Sequence, residues 1–258
     1  MSRALVSLML IIPGCRAMGY FEADAEEALS LGSILFENAS TYEGQVGSLM
    51  MTETDDGLHL LGSFVGNKST EAHWHIFSGS CDAIEDYWTH FDTSFDENGF
   101  MDVNLTLDGI SLHDPDMPLE GVEMIYGGEQ VACGGVYDVI GVDMTVGDVK
   151  GVLISIAHCD PCHIHLNGAL GKLEPGATGM IKIHEGESCD DAGDSYSYTS
   201  LFDPWANVTF VADDDGNAQI DAGMEVFTNA GQYPIQGKAV ATWDGDDRTG
   251  CGVLTMQY

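Results

Sequence analysis

Positive charge is what this chain has least of. Eight lysines and arginines stand against 42 aspartates and glutamates in 258 residues, for a formal net charge of −34. Such a surface excludes nucleic acid and anionic membranes as partners, and it repels anionic substrates at long range. Helix signals are nearly as sparse. Ala25-Glu26-Glu27-Ala28-Leu29 is the only segment of helical composition, and it is short. No segment after the N-terminal one is apolar enough to span a bilayer, which takes about 20 apolar residues. The acidic residues are scattered among apolar ones, and 44% of the chain is hydrophobic. That pattern describes a folded acidic protein rather than a disordered acidic tail. The plainest use of the charge is solubility or a salty habitat; a diffuse cation such as calcium is the sharper alternative.

The N-terminus reads as a secretory leader. Arg3 precedes the apolar run Ala4 to Ile12, and Cys15-Arg16-Ala17 makes a plausible cleavage end. The expected organisation is a signal peptide over 1–17, a lead over 18–27, one unit over 28–137 and a second over 138–258. Acceptor sequons occur at Asn38, Asn67, Asn104 and Asn207, which together with a leader fit a secreted glycoprotein. Removing Cys15 leaves six cysteines, an even number suited to an oxidising compartment.

Strand signals fill the rest. Short alternating apolar runs are separated by turn chemistry at Asp55-Asp56-Gly57, Glu97-Asn98-Gly99 and Asp214-Asp215-Gly216-Asn217. The chain also repeats itself. Gly44 to Leu49 parallels Val149 to Ile154, and Ala72 to Cys81 parallels Ile181 to Cys189. Asp96 to Val103 parallels Asp213 to Ile220, and Ala132 to Val136 parallels Gly250 to Leu254. A unit of about 110 residues is a normal size for one β-sandwich or barrel.

Two clusters carry chemistry. In His73-Trp74-His75 the histidines share one face of a strand, because side chains alternate with period two. A third histidine, His90, follows, and imidazole suits copper, zinc, iron and nickel. The other cluster is His158-Cys159-Asp160-Pro161-Cys162-His163-Ile164-His165. Its Cys-x-x-Cys-His spacing fits c-type haem attachment, but Asp160-Pro161 is turn chemistry between strands. A Cys159–Cys162 disulfide at a hairpin tip, an accessory metal site using His163 and His165, and haem all remain open readings there.

The order of these motifs resembles the copper/zinc superoxide dismutase family, over nearly all of residues 28–258 and twice. The family pattern is a His-x-His strand, a cysteine, a His-Phe-Asn-Pro, a Gly-Asn-Val strand pair, a Val-Val-His strand and an Ala-Cys-Gly-Val end. The resemblance implies an all-β chain of two tandem Greek-key β-barrel or β-sandwich domains. It implies intrasubunit disulfides Cys81–Cys133 and Cys189–Cys251, which would hold the loop carrying His90 against the barrel. It makes His73, His75 and His90 copper ligands, with Tyr126 where the fourth ligand belongs. The zinc ligands should follow His90 in a long loop, but the chain runs almost directly to Glu97-Asn98-Gly99, so zinc is not expected at the family's zinc site. The loop before the last cysteine is also short, from Gly127 to Ala132, and both shortenings resemble the copper-only branch.

The second repeat departs further. Lys182 replaces the first histidine, His184 remains, Leu201-Phe202-Asp203-Pro204 stands for His-Phe-Asn-Pro, and Trp243 takes the last ligand's place. The family's anion-guiding arginine matches Arg248, whereas Gln130 stands at that place in repeat 1. Lys68 is the only basic residue between 18 and 137. The half with the histidines therefore lacks the arginine. The expected function is a secreted, superoxide dismutase-like protein that binds copper through repeat 1, with weak or absent dismutation of superoxide. The alternatives are a non-catalytic extracellular module for cation, matrix or protein binding, and copper storage or delivery.

Overall fold

A computed structural model describes residues 32–35, 37–38, 46–81, 83–111, 114, 120–126, 129–137, 140–159, 162–198, 201, 203–227 and 233–255. The expected leader and lead segments lie outside these residues. Every regular element among the described residues is a β-strand.

The first body is one curled antiparallel sheet. Its strands are β1 (Gly32–Leu35), β2 (Glu37–Asn38), β3 (Val46–Thr54), β4 (Gly57–Val65), β5 (Glu71–Ser80), β6 (Ala83–Ser94), β7 (Phe100–Asp108), β8 (Gly121–Tyr126) and β9 (Glu129–Tyr137). They lie in the order β6-β5-β8-β9-β1-β3-β4-β7, with β2 also pairing β9. β5 is thus carried away from β4, which precedes it, to lie beside β8. This is the crossing of a Greek key. The curl closes around Leu49, Met51, Leu58, Leu60, Phe64, Trp74, Ile76, Phe91, Met101, Val122 and Met124.

The second body is a sandwich of two sheets. Its strands are β10 (Ile140–Asp143), β11 (Val146–Gly147), β12 (Lys150–Cys159), β13 (Cys162–Gly171), β14 (Thr178–Ile183), β15 (Thr209–Val211), β16 (Ala218–Glu225), β17 (Ala239–Asp244) and β18 (Asp247–Val253). One sheet runs β10-β12-β13-β16 and the other β11-β18-β17-β14-β15. Ile164, Leu166 and Ile220 of the first face Ile181, Ile183 and Val240 of the second in one core.

One turn recurs in both bodies. Asp96 Oδ1 accepts from the backbone N–H groups of Asn98 and Phe100, and Asp213 Oδ1 accepts from Asp215 and Asn217. The glycine after each is in the left-handed region, with φ 76° at Gly99 and 78° at Gly216. A Cβ there would lie 2.4 Å from the Gly66 carbonyl oxygen or 2.3 Å from that of Leu173. Only glycine fits such a corner.

The bodies meet through β3–β4 and β12–β13. Alternation along β3 sends Leu49 and Met51 into the barrel core and leaves Ser48 and Met50 on the outer face. That face is fully buried: Ser48 and Ser63 have zero exposure, and Met50 and Leu61 pack with Val152 and Ile154. Ser63 Oγ accepts from the Val152 N–H at 2.7 Å and donates to the Ala169 carbonyl at 2.9 Å. Ser48 Oγ donates to the Val152 carbonyl at 2.8 Å. At the rim, Asn217 Nδ2 donates to the Asn98 carbonyl, and Lys68 pairs with Asp215.

Both disulfides that the resemblance implies are present, Cys81–Cys133 and Cys189–Cys251. Each stabilises its body by roughly 2–4 kcal/mol through restriction of the unfolded chain. Asn67, Asn104 and Asn207 are exposed. Asn38 lies on β2 opposite Ala132, and its side chain is outside the described set.

Replacing Ser63 with Ala leaves the Val152 N–H buried without its partner. Loss of such a buried pair costs about 1–3 kcal/mol. The expected result is a lower urea midpoint with an unchanged denaturant slope.

Candidate functional site

The predicted ligands of the first body lie on β5 and β6. Trp74 is fully buried and stacks on Phe91, centroid to centroid 5.5 Å with ring planes 3° apart. Its indole N–H donates to Thr93 Oγ1 at 2.6 Å. These contacts fix the pairing Trp74↔Phe91, and with it His75↔His90 and His73↔Asp92. Because alternate side chains point to opposite faces, both β5 histidines and His90 stand on the outer face of the barrel.

His90 therefore sits mid-strand, not on a loop as expected. The segment Tyr87-Trp88-Thr89-His90-Phe91 is rich in aromatic and β-branched residues, which suit a pleated surface, and Phe91 anchors it in the core. Cys81–Cys133 fastens the end of the β5–β6 hairpin, and the hairpin itself carries His90.

Each β5 histidine has one ring nitrogen held by a carboxylate. His75 Nδ1 lies 3.0 Å from Glu123 Oε1, and His73 Nδ1 lies 2.6 Å from Asp92 Oδ1. The two pairs differ in setting. Glu123 is 3% exposed, whereas the His73 and Asp92 side chains are 53% and 66% exposed. The His75 and His90 rings are 6.4 Å apart at 80°. Among the described residues no group of three or more His, Cys, Asp or Glu side chains is gathered as a metal cage.

Two neighbours of His75 escape sequence reasoning. Glu123 is opposite His75 on β8, a pairing that no local pattern encodes. Tyr87 packs edge-on against His75 at 4.9 Å. It is three residues from His90, so an unbroken strand would put it on the other face. The register shifts between Ile76 and Phe77, which face Thr89 and Tyr87 respectively. Trp88 is the extra residue of that bulge, and the bulge returns Tyr87 to the outer face. Desolvation, followed by the hydrogen bond to Glu123 and its negative charge, holds the Tyr87 phenol above its ordinary pKa.

Tyr126, expected at the fourth ligand position, ends β8 opposite Glu129. That is one residue beyond Ile125, which faces His73. Its side chain is outside the described set.

The second body has a different arrangement at the corresponding place. His184 is 5% exposed. Its Nδ1 lies 3.1 Å from the Gly193 carbonyl oxygen, so Nδ1 carries the proton, and its Nε2 accepts from the Trp243 indole N–H at 3.3 Å. Both ring nitrogens of His184, the single histidine that repeat 2 keeps, are therefore engaged within this body. Lys182 bonds Asp203 at 2.9 Å, an ion pair in the place where the first body has His73–Asp92. Arg248, expected to guide an anion, donates to the Cys189 carbonyl next to the disulfide. It therefore braces this body.

In the other cluster, Cys159 and Cys162 face each other at the ends of β12 and β13, as do His158 and His163. The two cysteine side chains lie outside the described set, so the expected bridge between them does too. His165 Nδ1 lies 3.2 Å from Asp221 and 3.0 Å from Asn167 Nδ2. His163 faces Glu225 across the β13–β16 pair. A cleft of about 460 Å³ beside the interface is lined by Leu61, Asp143, Val146, Glu187 and Asp190, none of them a predicted ligand.

No family model matches the chain, and no curated protein matches it. Among solved structures, the crystal structure of the clock protein EA4 is similar at 17% identity. The match covers 46% of this chain and 93% of that one, with a TM-score of 0.39. A likeness at that level carries no argument about function.

Asp203 supplies a pH test of the second body. Burial raises its pKa, but the Lys182, Trp205 and Ser195 hydrogen bonds and the Lys182 charge outweigh that and hold it below the ordinary value of 3.8. A carboxylate with a depressed folded-state pKa adds stability that is complete above the ordinary value and is lost as pH falls through the depressed one. Asp203→Asn is expected to flatten the loss of thermal stability on acidification while leaving a lower Tm at neutral pH. An acid limb unchanged by the substitution would assign that loss to other carboxylates.

Proposed function

We propose that this protein is a secreted, superoxide dismutase-like copper binder whose metal is held on the outer face of the first body by His75 and His90, with His73 beside them. The two repeats of one β unit have then diverged, one keeping an imidazole corner and the other filling it with structural contacts. The observation that carries the reading is the contrast between His75 and His184. Both have Nδ1 held by an acceptor. His184 has its second nitrogen covered by Trp243, whereas the Nε2 of His75 has no hydrogen-bond partner among the described residues.

The donor set fits the metal. Metal-bound histidines as a rule donate their other ring N–H to a carboxylate or carbonyl, and Glu123 supplies that acceptor. Copper–imidazole bonds resemble zinc's, at about 2.0–2.1 Å. Two imidazoles on one ion therefore approach more closely than 6.4 Å unless they stand opposite each other. His90 is exposed, and its ring lies beside that of His75. Closing on a shared ion would require it to turn inward. Copper so bound would supply one-electron redox chemistry.

The residues around the corner bear on turnover. Superoxide is an anion, and charges that focus a substrate raise its on-rate by about 10- to 1,000-fold. Here the carboxylates against the histidine rings are Glu123 and Asp92, and Arg248 is engaged in the other body. This setting favours binding over dismutation and keeps storage or delivery as the second reading.

A Cu(II) titration of the disulfide-bonded full chain is the test. One equivalent is expected, with affinity falling at least tenfold in His75→Ala and in His90→Ala and unchanged in His184→Ala. Dismutation should be slow and dependent on His75. Absence of stoichiometric copper, or equal losses from His75→Ala and His184→Ala, would overturn the proposal.

A further inference from the structure

Resting on the copper reading, the geometry points to Glu123 as the positioning residue of the site, fixing His75 as the Nδ1–H tautomer with its Nε2 presented on the side of His90, and to Tyr87 as the group that holds Glu123 in place.

Burial makes the case. Glu123 is 3% exposed, although it shares its sheet face with the exposed His73 and Asp92. An ionised carboxylate offers only acceptor sites, and burying one without donors is costly. His75 Nδ1–H and the Tyr87 hydroxyl both donate to it. Since the carboxylate can only accept, the proton of neutral His75 is on Nδ1, and the lone pair is on Nε2.

Tyr87 does two things at once. Its hydroxyl occupies Glu123, and its ring stands at 61° to the His75 ring, limiting the imidazole's rotation. Its own face contacts differ from those of a core aromatic, since it is 57% exposed. The bulge at Trp88 is what brings it there. A purely structural Glu123 would need any two donors. Here one donor is the ring that the copper reading requires, and the nitrogen it leaves open is the one on the far side from the carboxylate. The exposed pair His73–Asp92 repeats the geometry without the burial, so it holds its ring less firmly.

The experiment reads the ring nitrogens directly. Imidazole ¹⁵N shifts of the metal-free full chain, near pH 8, report which nitrogen of His75 is protonated. Nδ1–H is expected in the natural protein and in Tyr87→Phe, and a shift toward Nε2–H is expected in Glu123→Ala. Glu123→Gln, nearly the same shape, keeps the fold testable if the alanine variant unfolds, and its amide oxygen should restore most of the Nδ1–H form. In Cu(II) titrations Glu123→Ala should weaken binding about 10- to 100-fold, with a smaller loss in Tyr87→Phe. An Nε2–H His75 in the natural protein, or a tautomer unchanged in Glu123→Ala, would overturn the assignment. If the natural protein takes up no copper, the copper reading falls, and the nitrogen shifts still decide the role of Glu123.

Discussion

The outer-face histidines depend on one buried contact, the stack of Trp74 on Phe91. Side chains alternate across a strand, so burying position 74 turns 73 and 75 outward, and burying 91 turns 90 and 92 outward. The stack also sets which residues face each other: a slip of one residue would expose both aromatic rings and bury the histidines without partners. Full burial of an aromatic side chain contributes roughly 1.5–3 kcal/mol. Two such rings outweigh anything the exposed histidines contribute to folding. The core therefore positions the site, and the site adds little to the core.

The two bodies show how one framework accommodates opposite fates for the same positions. In the first, His73 and His75 are paired to carboxylates on the sheet surface. In the second, Lys182 keeps the ion pair to the carboxylate three residues before Ala206, while His184 is sealed between Gly193 and Trp243. A lysine with a carboxylate needs no metal to neutralise it, and an indole N–H on Nε2 supplies the contact that an ion otherwise would. Arg248 is explained in the same way, since its guanidinium satisfies the Cys189 carbonyl at the disulfide. Scarce cations in a strongly acidic chain are spent on such internal contacts: Lys68, Lys182 and Lys238 each meet an acceptor of their own.

Much of the fold is legible in the sequence, because it rests on local signals. Two-residue turns such as Asp55-Asp56, the repeated Asp-x-x-Gly corners and period-two alternation place the strands within a few residues. The two disulfides follow from the resemblance and are present. What is not legible is long-range register. Glu123 meets His75 only because β5 pairs β8, forty-eight residues later in the chain. Tyr87 reaches His75 only because Trp88 is bulged. The segment carrying His90 reads as a loop from the resemblance and folds as a strand, because its own aromatic and β-branched residues are given a partner edge on β5. The interface serines are equally silent, since Ser48 and Ser63 look like ordinary outward-facing positions until a second sheet covers them.

Under the copper proposal, the openness of the β5–β6 outer face bears on how the site would work. A copper ion on the outer face of an edge hairpin has less enclosure than one in a cleft, and open water keeps the local dielectric high. In such a setting the hold on the metal comes from ring orientation more than from desolvation. A buried carboxylate behind one imidazole is the economical way to obtain that orientation, since the rigid element lies in the barrel and the ligand nitrogen lies outside it. The other ring, His90, stands exposed beside it. On the copper proposal, one imidazole fixed from behind and one exposed beside it would let an ion enter and leave without backbone movement, which would suit binding and transfer better than a rigid redox cage.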